Sequence, residues 1–177
     1  MNTLKAEKRS MDVKAKKLRR EGYVTGNLFG REIEGSIPLK FTKKEIEVLL
    51  KNNNKGSQVM LELDGKTYDA LIKEVDYNPL AHTVEEVDFQ ALVSNEMVHS
   101  TAEIILENEE KVMSGVLQDE LKEVAYKALP ADLVDKIKVD VAGMKIGDTL
   151  RVKDLENAKN AILAEVEAEL DAPQEEA

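Results

Sequence analysis

The chain has no cysteine and no tryptophan, and aromatic residues make up only 4% of it. Without cysteine there are no disulfides, no thiolate metal ligands and no thiol nucleophile, which suits a reducing cytosol. The two histidines, His82 and His99, stand apart, without the His-x-x-x-His or carboxylate spacing that a zinc or metalloprotease site requires. They read as ordinary surface or turn residues. Long apolar runs are missing too, since none approaches the roughly 18 residues of a spanning helix. The opening MNTLKAEKRSMD carries charges where a secretory signal needs an apolar core, so the expectation is a soluble cytoplasmic chain with no membrane partner. No Gly-rich phosphate loop, nucleophile elbow or internal repeat is present, and Ser36, Ser57, Ser94, Ser100 and Ser114 lie in no nucleophile setting. Nothing here calls for catalysis, a cofactor or a small-molecule substrate.

What is present is charge, and its placement is uneven. Charged residues reach 34% and the formal net charge is -10 over 177 residues. Residues 1–51 nevertheless hold 13 Lys or Arg against 7 Asp or Glu, a net of +6, while residues 52–177 hold 12 against 28, a net of -16. A basic patch on an acidic chain attracts phosphates locally and repels polyanions elsewhere. The length fits two small domains, each with a modest aliphatic core, because 42% of the residues are hydrophobic and few are aromatic.

The positive charge is concentrated in KAKKLRREGYVTGNLFG, where Lys14, Lys16, Lys17, Arg19 and Arg20 fall within seven positions. By itself such a cluster is a weak signal, equally suited to a solvated helix face. The residues that follow add to it. After the helix stop Gly22, and between the flexible points Gly26 and Gly30, Tyr23, Asn27 and Phe29 alternate along the chain. Cationic heads suit phosphates, while Tyr, Asn and exposed amides suit ribose and base edges. Phe29 has two readings of equal weight, a stacking residue or part of the core.

Further on, REIEGSIPLKF reads as two short strands turning near Gly35. Thr42 is an N-cap with Glu45 as its capping-box partner, Phe41 and Ile46 have staple spacing, and a helix is predicted over 43–51 with Ile46, Leu49 and Leu50 as its apolar stripe. QVMLELDGKTYDALIKEV reads as a hairpin through Asp64-Gly65, and VEEVDFQAL as a further strand. Five or six strands with one or two helices predict a small antiparallel barrel over 1–93. Residues 94–177 carry 9 basic against 20 acidic residues, a net of -11. Most of that half reads as strands: Ile137, Val139 and Val141 alternate with polar residues, and Ile146, Leu150 and Val152 continue the series. The expected class is mainly β (α+β), with a second, acidic β domain over 94–171 and a disordered tail over 172–177.

Several runs resemble one family: AEKR at Ala6–Arg9, KAKKLRREG, GNLFG, Pro79, VDF at Val87–Phe89, then GVLQDEL, LPADL, IKVDV and IGDTLRVKDL in order. The chain resembles the bacterial large-subunit ribosomal protein twenty-five in its longer two-domain form, the general stress protein CTC. The resemblance implies a first domain that is a six-stranded barrel binding 5S ribosomal RNA. It further implies a second, mostly β domain, neighbouring large-subunit proteins as partners, a ribosomal location in the cytoplasm, and neither catalysis nor cofactor. Some positions depart from the family pattern. The basic stretch lacks the Gly-Lys-Gly-type tip, Lys16 and Lys17 replace arginines, Thr25 replaces a proline, and Glu86 replaces the histidine of His-Val-Asp-Phe. A carboxylate at that place either repels phosphate or accepts from an RNA donor.

The expected contacts are therefore Arg9, Lys14, Lys16, Lys17, Arg19 and Arg20 on phosphates, and Tyr23, Asn27, Phe29 and Asp88 on sugar and base edges. A different class of function, an acidic stress-related adaptor with a protein partner and no stable ribosome association, fits the net charge alone. A carboxylate-dependent hydrolase has no motif behind it.

Overall fold

The computed structural model describes residues 3–112 and 115–152. In its first part, strands β1 (Thr3–Lys8), β2 (Tyr23–Phe29), β3 (Ser36–Thr42), β4 (Gln58–Leu63), β5 (Lys66–Asn78) and β6 (Thr83–Ala91) alternate with helices α1 (Ala15–Arg20) and α2 (Lys43–Leu50). The six strands close into a barrel in the order β1-β3-β2-β6-β5-β4. Closure comes from two parallel pairings, β1 with β4 and β2 with β6, while the other neighbours are antiparallel. The closed six-stranded barrel is as expected, but it is mixed rather than antiparallel throughout.

Local chemistry accounts for several of these elements. Thr42 Oγ1 accepts from the Glu45 N–H at 3.3 Å while the Glu45 carboxylate accepts from the Thr42 N–H at 3.2 Å, the reciprocal capping box that starts α2. Ile46 and Leu49 of α2 are buried, and with Phe41 they belong to the barrel core. Asp64 (φ 50°) and Gly65 (φ 76°) form the two-residue turn of the β4–β5 hairpin, whose left-handed geometry matches the strand twist. The interior is aliphatic around one aromatic pair, Phe41 and Phe89, with centroids 5.4 Å apart and planes at 56°.

Two expectations for this part are corrected. Residues 31–35 form no strand; β2 and β3 pair directly as a hairpin from Tyr23–Thr42 to Phe29–Ser36. Ile33 packs on the barrel core instead of joining a ladder, and its N–H closes a turn on the Gly30 carbonyl at 3.1 Å. Gly26 is not a flexible point. It lies buried inside β2, where a Cβ would run into the Val87 carbonyl oxygen of the parallel neighbour β6. A small residue is required by close backbone approach, which single-chain periodicity does not reveal.

The second part holds β7 (Val98–Glu107), β8 (Glu123–Ala128) and β9 (Lys136–Asp140) in the order β8-β7-β9, with β7 and β9 parallel. Ala102, Tyr126, Ala128, Ile137, Val139 and Val141 form its core. The Tyr126 hydroxyl donates to the Val134 carbonyl and accepts from the Val134 N–H, both at 2.6 Å, fixing the approach to β9. Among the described residues the strand content is lower than expected. Residues 115–122 and 141–152 form no strand, and Ile146 (76% exposed) and Leu150 (44%) leave the alternating series on the surface. The tail expected over 172–177 lies outside the described residues, as does the end of the IGDTLRVKDL run.

The two parts meet along the first half of β7. Asn54 donates to Glu103, Ser57 Oγ donates to Asp135 at 3.2 Å, and Lys73 Nζ donates to the His99 carbonyl at 2.7 Å. Gly56, with φ +88°, sits where a side chain would collide with the Thr101 carbonyl, so the loop 54–57 lies flush on β7. Burial, and secondarily Lys55, push the Lys73 ammonium below its ordinary pKa.

Candidate nucleic-acid interface

Helix α1 lies against β2, with Leu18 as its buried side chain. That single apolar anchor leaves the remaining turns to solvent, and Lys14, Lys16, Lys17 and Arg20 are exposed. Lys17 makes an i,i+4 contact to Glu21 at 3.9 Å, an exposed pair of little strength. The helix closes through Gly22 at φ +88°, whose N–H donates to the Arg19 carbonyl at 3.3 Å.

Arg19 is placed differently from its neighbours. It turns inward to β6: Nε donates to the Glu85 carbonyl at 3.3 Å, Nη1 pairs with the Glu85 carboxylate at 3.0 Å, and Nη2 with that of Glu86 at 3.4 Å. With 31% of its side chain exposed, Arg19 fastens α1 to the barrel. Arg9 also acts within the fold. Its Nη2 donates to the Val13 carbonyl at 3.1 Å, shaping the approach to α1, and its Nε is buried without a partner among the described residues.

Beside the helix, β2 turns Val24, Gly26 and Leu28 into the barrel and Tyr23, Thr25, Asn27 and Phe29 outward. Phe29 is therefore not a core residue; Leu28 fills the interior and Phe29 is half-buried outside, opposite Ser36. Tyr23 carries the Lys40 ammonium 5.0 Å from its ring centroid. Lys40 in turn pairs with Glu7 at 2.8 Å, and that hydrogen bond raises its pKa. Asn27 is held from β6: its backbone N–H donates to Asp88 Oδ1 at 2.9 Å, and its side-chain Nδ2 donates to Asp88 Oδ1 at 3.1 Å and Glu86 Oε1 at 3.3 Å. Asp88 thus spans the parallel seam between β2 and β6. Thr25 Oγ1 donates to the Glu85 carbonyl at 3.3 Å beneath α1.

Tyr23, Asn27, Phe29 and Asp88 share this outer face with α1 at one side, whereas Arg9 stands at the end of β1. Sequence reasoning missed Glu85 and Lys40, and noted Thr25 only as a departure from the family pattern; all three organise the face. The charge pattern contained a hint, since Glu85-Glu86 is an acidic pair opposite a basic helix, but its partner lies 67 residues away. Among the described residues no group of three or more His, Asp or Glu is arranged to hold a metal ion, and no helix is long and apolar enough to cross a membrane.

Residues 4–89 match the Ribosomal L25p family, and residues 97–172 match the C-terminal domain of ribosomal protein TL5. The chain belongs to the ribosomal L25p family. It has the two-domain form. A large ribosomal subunit protein bL25 of Akkermansia muciniphila is 32% identical over 179 residues, covering 94% of this chain and 89% of that protein. The bL25 of Carboxydothermus hydrogenoformans is 33% identical over 159 residues, covering 85% and 79%, and that of Thermoanaerobacter sp. (strain X514) is 31% identical over 144 residues, covering 80% and 72%. L25p members are structural proteins of the ribosome, not enzymes, and work in the cytoplasm. The Glu86 carboxylate, at the position where the resemblance implied a histidine, is not left free. It pairs with Arg19, which it shares with Glu85, and accepts from Asn27.

Proposed function

We propose that this L25p member is a component of the large ribosomal subunit that binds 5S rRNA through α1 and the outer face of β2 and β6. The observation that carries the reading is the exposed set of cations Lys14, Lys16, Lys17 and Arg20 at the start of and along a helix whose fifth cation, Arg19, is used to fasten it. A cationic row at fixed spacing neutralises phosphates and provides salt-dependent affinity. Tyr23, Asn27 and Phe29 then meet sugar and base edges, with Asp88 holding Asn27 in place. Arg9 orients the chain entering α1.

The division of labour follows charge, with residues 1–93 as the RNA-binding domain and 94–171 as an acidic domain facing away from RNA or toward basic neighbouring proteins. Sucrose-gradient sedimentation of a lysate tests the reading. A ribosomal component migrates with the large subunit, whereas an acidic adaptor stays near the top of the gradient, and the latter result would reject the proposal.

A further inference from the structure

We propose that Asn27 reads the RNA as a hydrogen-bond acceptor only, selecting a donor on the minor-groove edge, a guanine N2 amino group or a ribose 2′-hydroxyl. The inference rests on the RNA-binding reading above and gives that face its ligand chemistry. A primary amide offers two N–H donors and one carbonyl, and by itself it can turn either end toward a ligand. Here the choice is made by the neighbours on β6. Glu86 Oε1 and Asp88 Oδ1 stand 3.3 and 3.1 Å from Nδ2, and charged carboxylates accept but do not donate. Turning the amide over would point its oxygen at two anions, so both N–H groups are committed inside the protein. Oδ1 remains as the outward group of a half-buried side chain, and it takes no hydrogen bond from the described residues.

The surroundings make the same selection. Along the outer face, Glu86 pairs in register with Asp76 and Asp88 with Glu74 of β5, so on the β5 side of Asn27 the ground consists of acceptors, while the cations Arg19 and Lys40 stand on its α1 and β3 sides. Phosphate oxygens are acceptors as well and are repelled there. The wide, shallow minor groove of A-form RNA instead displays ribose hydroxyls and the guanine amino group, both donors, at a depth that side chains on a sheet can reach. Helix α1 takes the phosphates and β2 takes the donor edge. Arg19 holds the Glu86 carboxylate in place, which makes Arg19 and Glu86 positioning residues for Asn27.

The test uses the full chain and chemically assembled 5S rRNA in three forms: unmodified, guanosine replaced by inosine to remove the N2 amino group, and guanosine replaced by 2′-deoxyguanosine. Asn27→Ala is expected to weaken binding of unmodified RNA by about fivefold, the scale of one hydrogen bond, and to cause no further loss on whichever modified RNA lacks the donor. Which arm loses the effect identifies the donor. Glu86→Gln supplies a second variant with the same shape. It lets the amide turn over and is expected to shrink the preference for unmodified over modified RNA, with a thermal melt confirming that both variants fold. If Asn27→Ala leaves binding unchanged, or weakens it equally on all three RNAs, the inference is overturned while the RNA-binding reading stands. If the unsubstituted chain binds none of the three, both fall.

Discussion

At the scale of single residues, five neighbouring cations have two distinct jobs. Arg19, bound to Glu85 and Glu86 and mostly shielded, contributes to stability, whereas Lys16 and Lys17 project into water. Arg19→Ala is expected to cost about 1 kcal/mol of folding stability, because it leaves two half-buried carboxylates without their cation. Lys16→Ala is expected to stay within about 0.5 kcal/mol of the parent. Urea denaturation of the two variants measures the difference, and equal midpoints would show that Arg19 is as dispensable to the fold as its neighbours. The basic cluster was legible in the sequence; its division was not. Arg19 meets Glu86 across 67 positions, and only the seating of α1 on β2 beside β6 brings them together. Phe29 was undecided for a related reason, since the facing of β2 settles it, with Leu28 inward and Phe29 outward.

At the scale of elements, the parts specified by short-range chemistry were the readable ones. The Thr42–Glu45 capping box and the Asp64-Gly65 turn each lie within a few residues, and each forms as its spacing predicts. Elements that depend on distant partners were not readable. Gly26 exists for the parallel contact of β2 with Val87 of β6, and the alternation of Ile146, Leu150 and Val152 joins no strand among the described residues. Gly26→Ala is therefore expected to be among the most damaging small changes in the barrel, costing about 3 kcal/mol or more because backbone must move. Gly143→Ala, at a position with open space, is expected to change stability far less. Thermal unfolding of the pair checks this, and similar melting temperatures would contradict the close-packed seam.

At the scale of the whole molecule, a basic barrel edge and an acidic sheet are joined by specific contacts, among them Asn54–Glu103, Ser57–Asp135 and Lys73 on the His99 carbonyl. Lys73 gives this junction a pH signature. Its folded pKa is lowered by burial and by Lys55, so between that value and its ordinary 10.5 the unfolded chain binds more protons, and stability gains from Lys73 as pH rises through that window. Lys73→Met is expected to remove this gain, seen as a smaller rise, or a steeper fall, in melting temperature from about pH 8 to pH 10 relative to the parent; superimposable difference curves would refute it. The segregation of charge itself was legible from composition, because net charge by segment needs no fold. The account as a whole rests on α1 delivering its exposed cations to RNA phosphates. The most direct measurement is the salt dependence of 5S rRNA affinity for the parent and for the variant with Lys14, Lys16, Lys17 and Arg20 all changed to Ala. Loss of four phosphate contacts predicts a slope of log K against log salt that is shallower by about 3, together with weaker binding. An unchanged slope and an unchanged affinity would contradict the account.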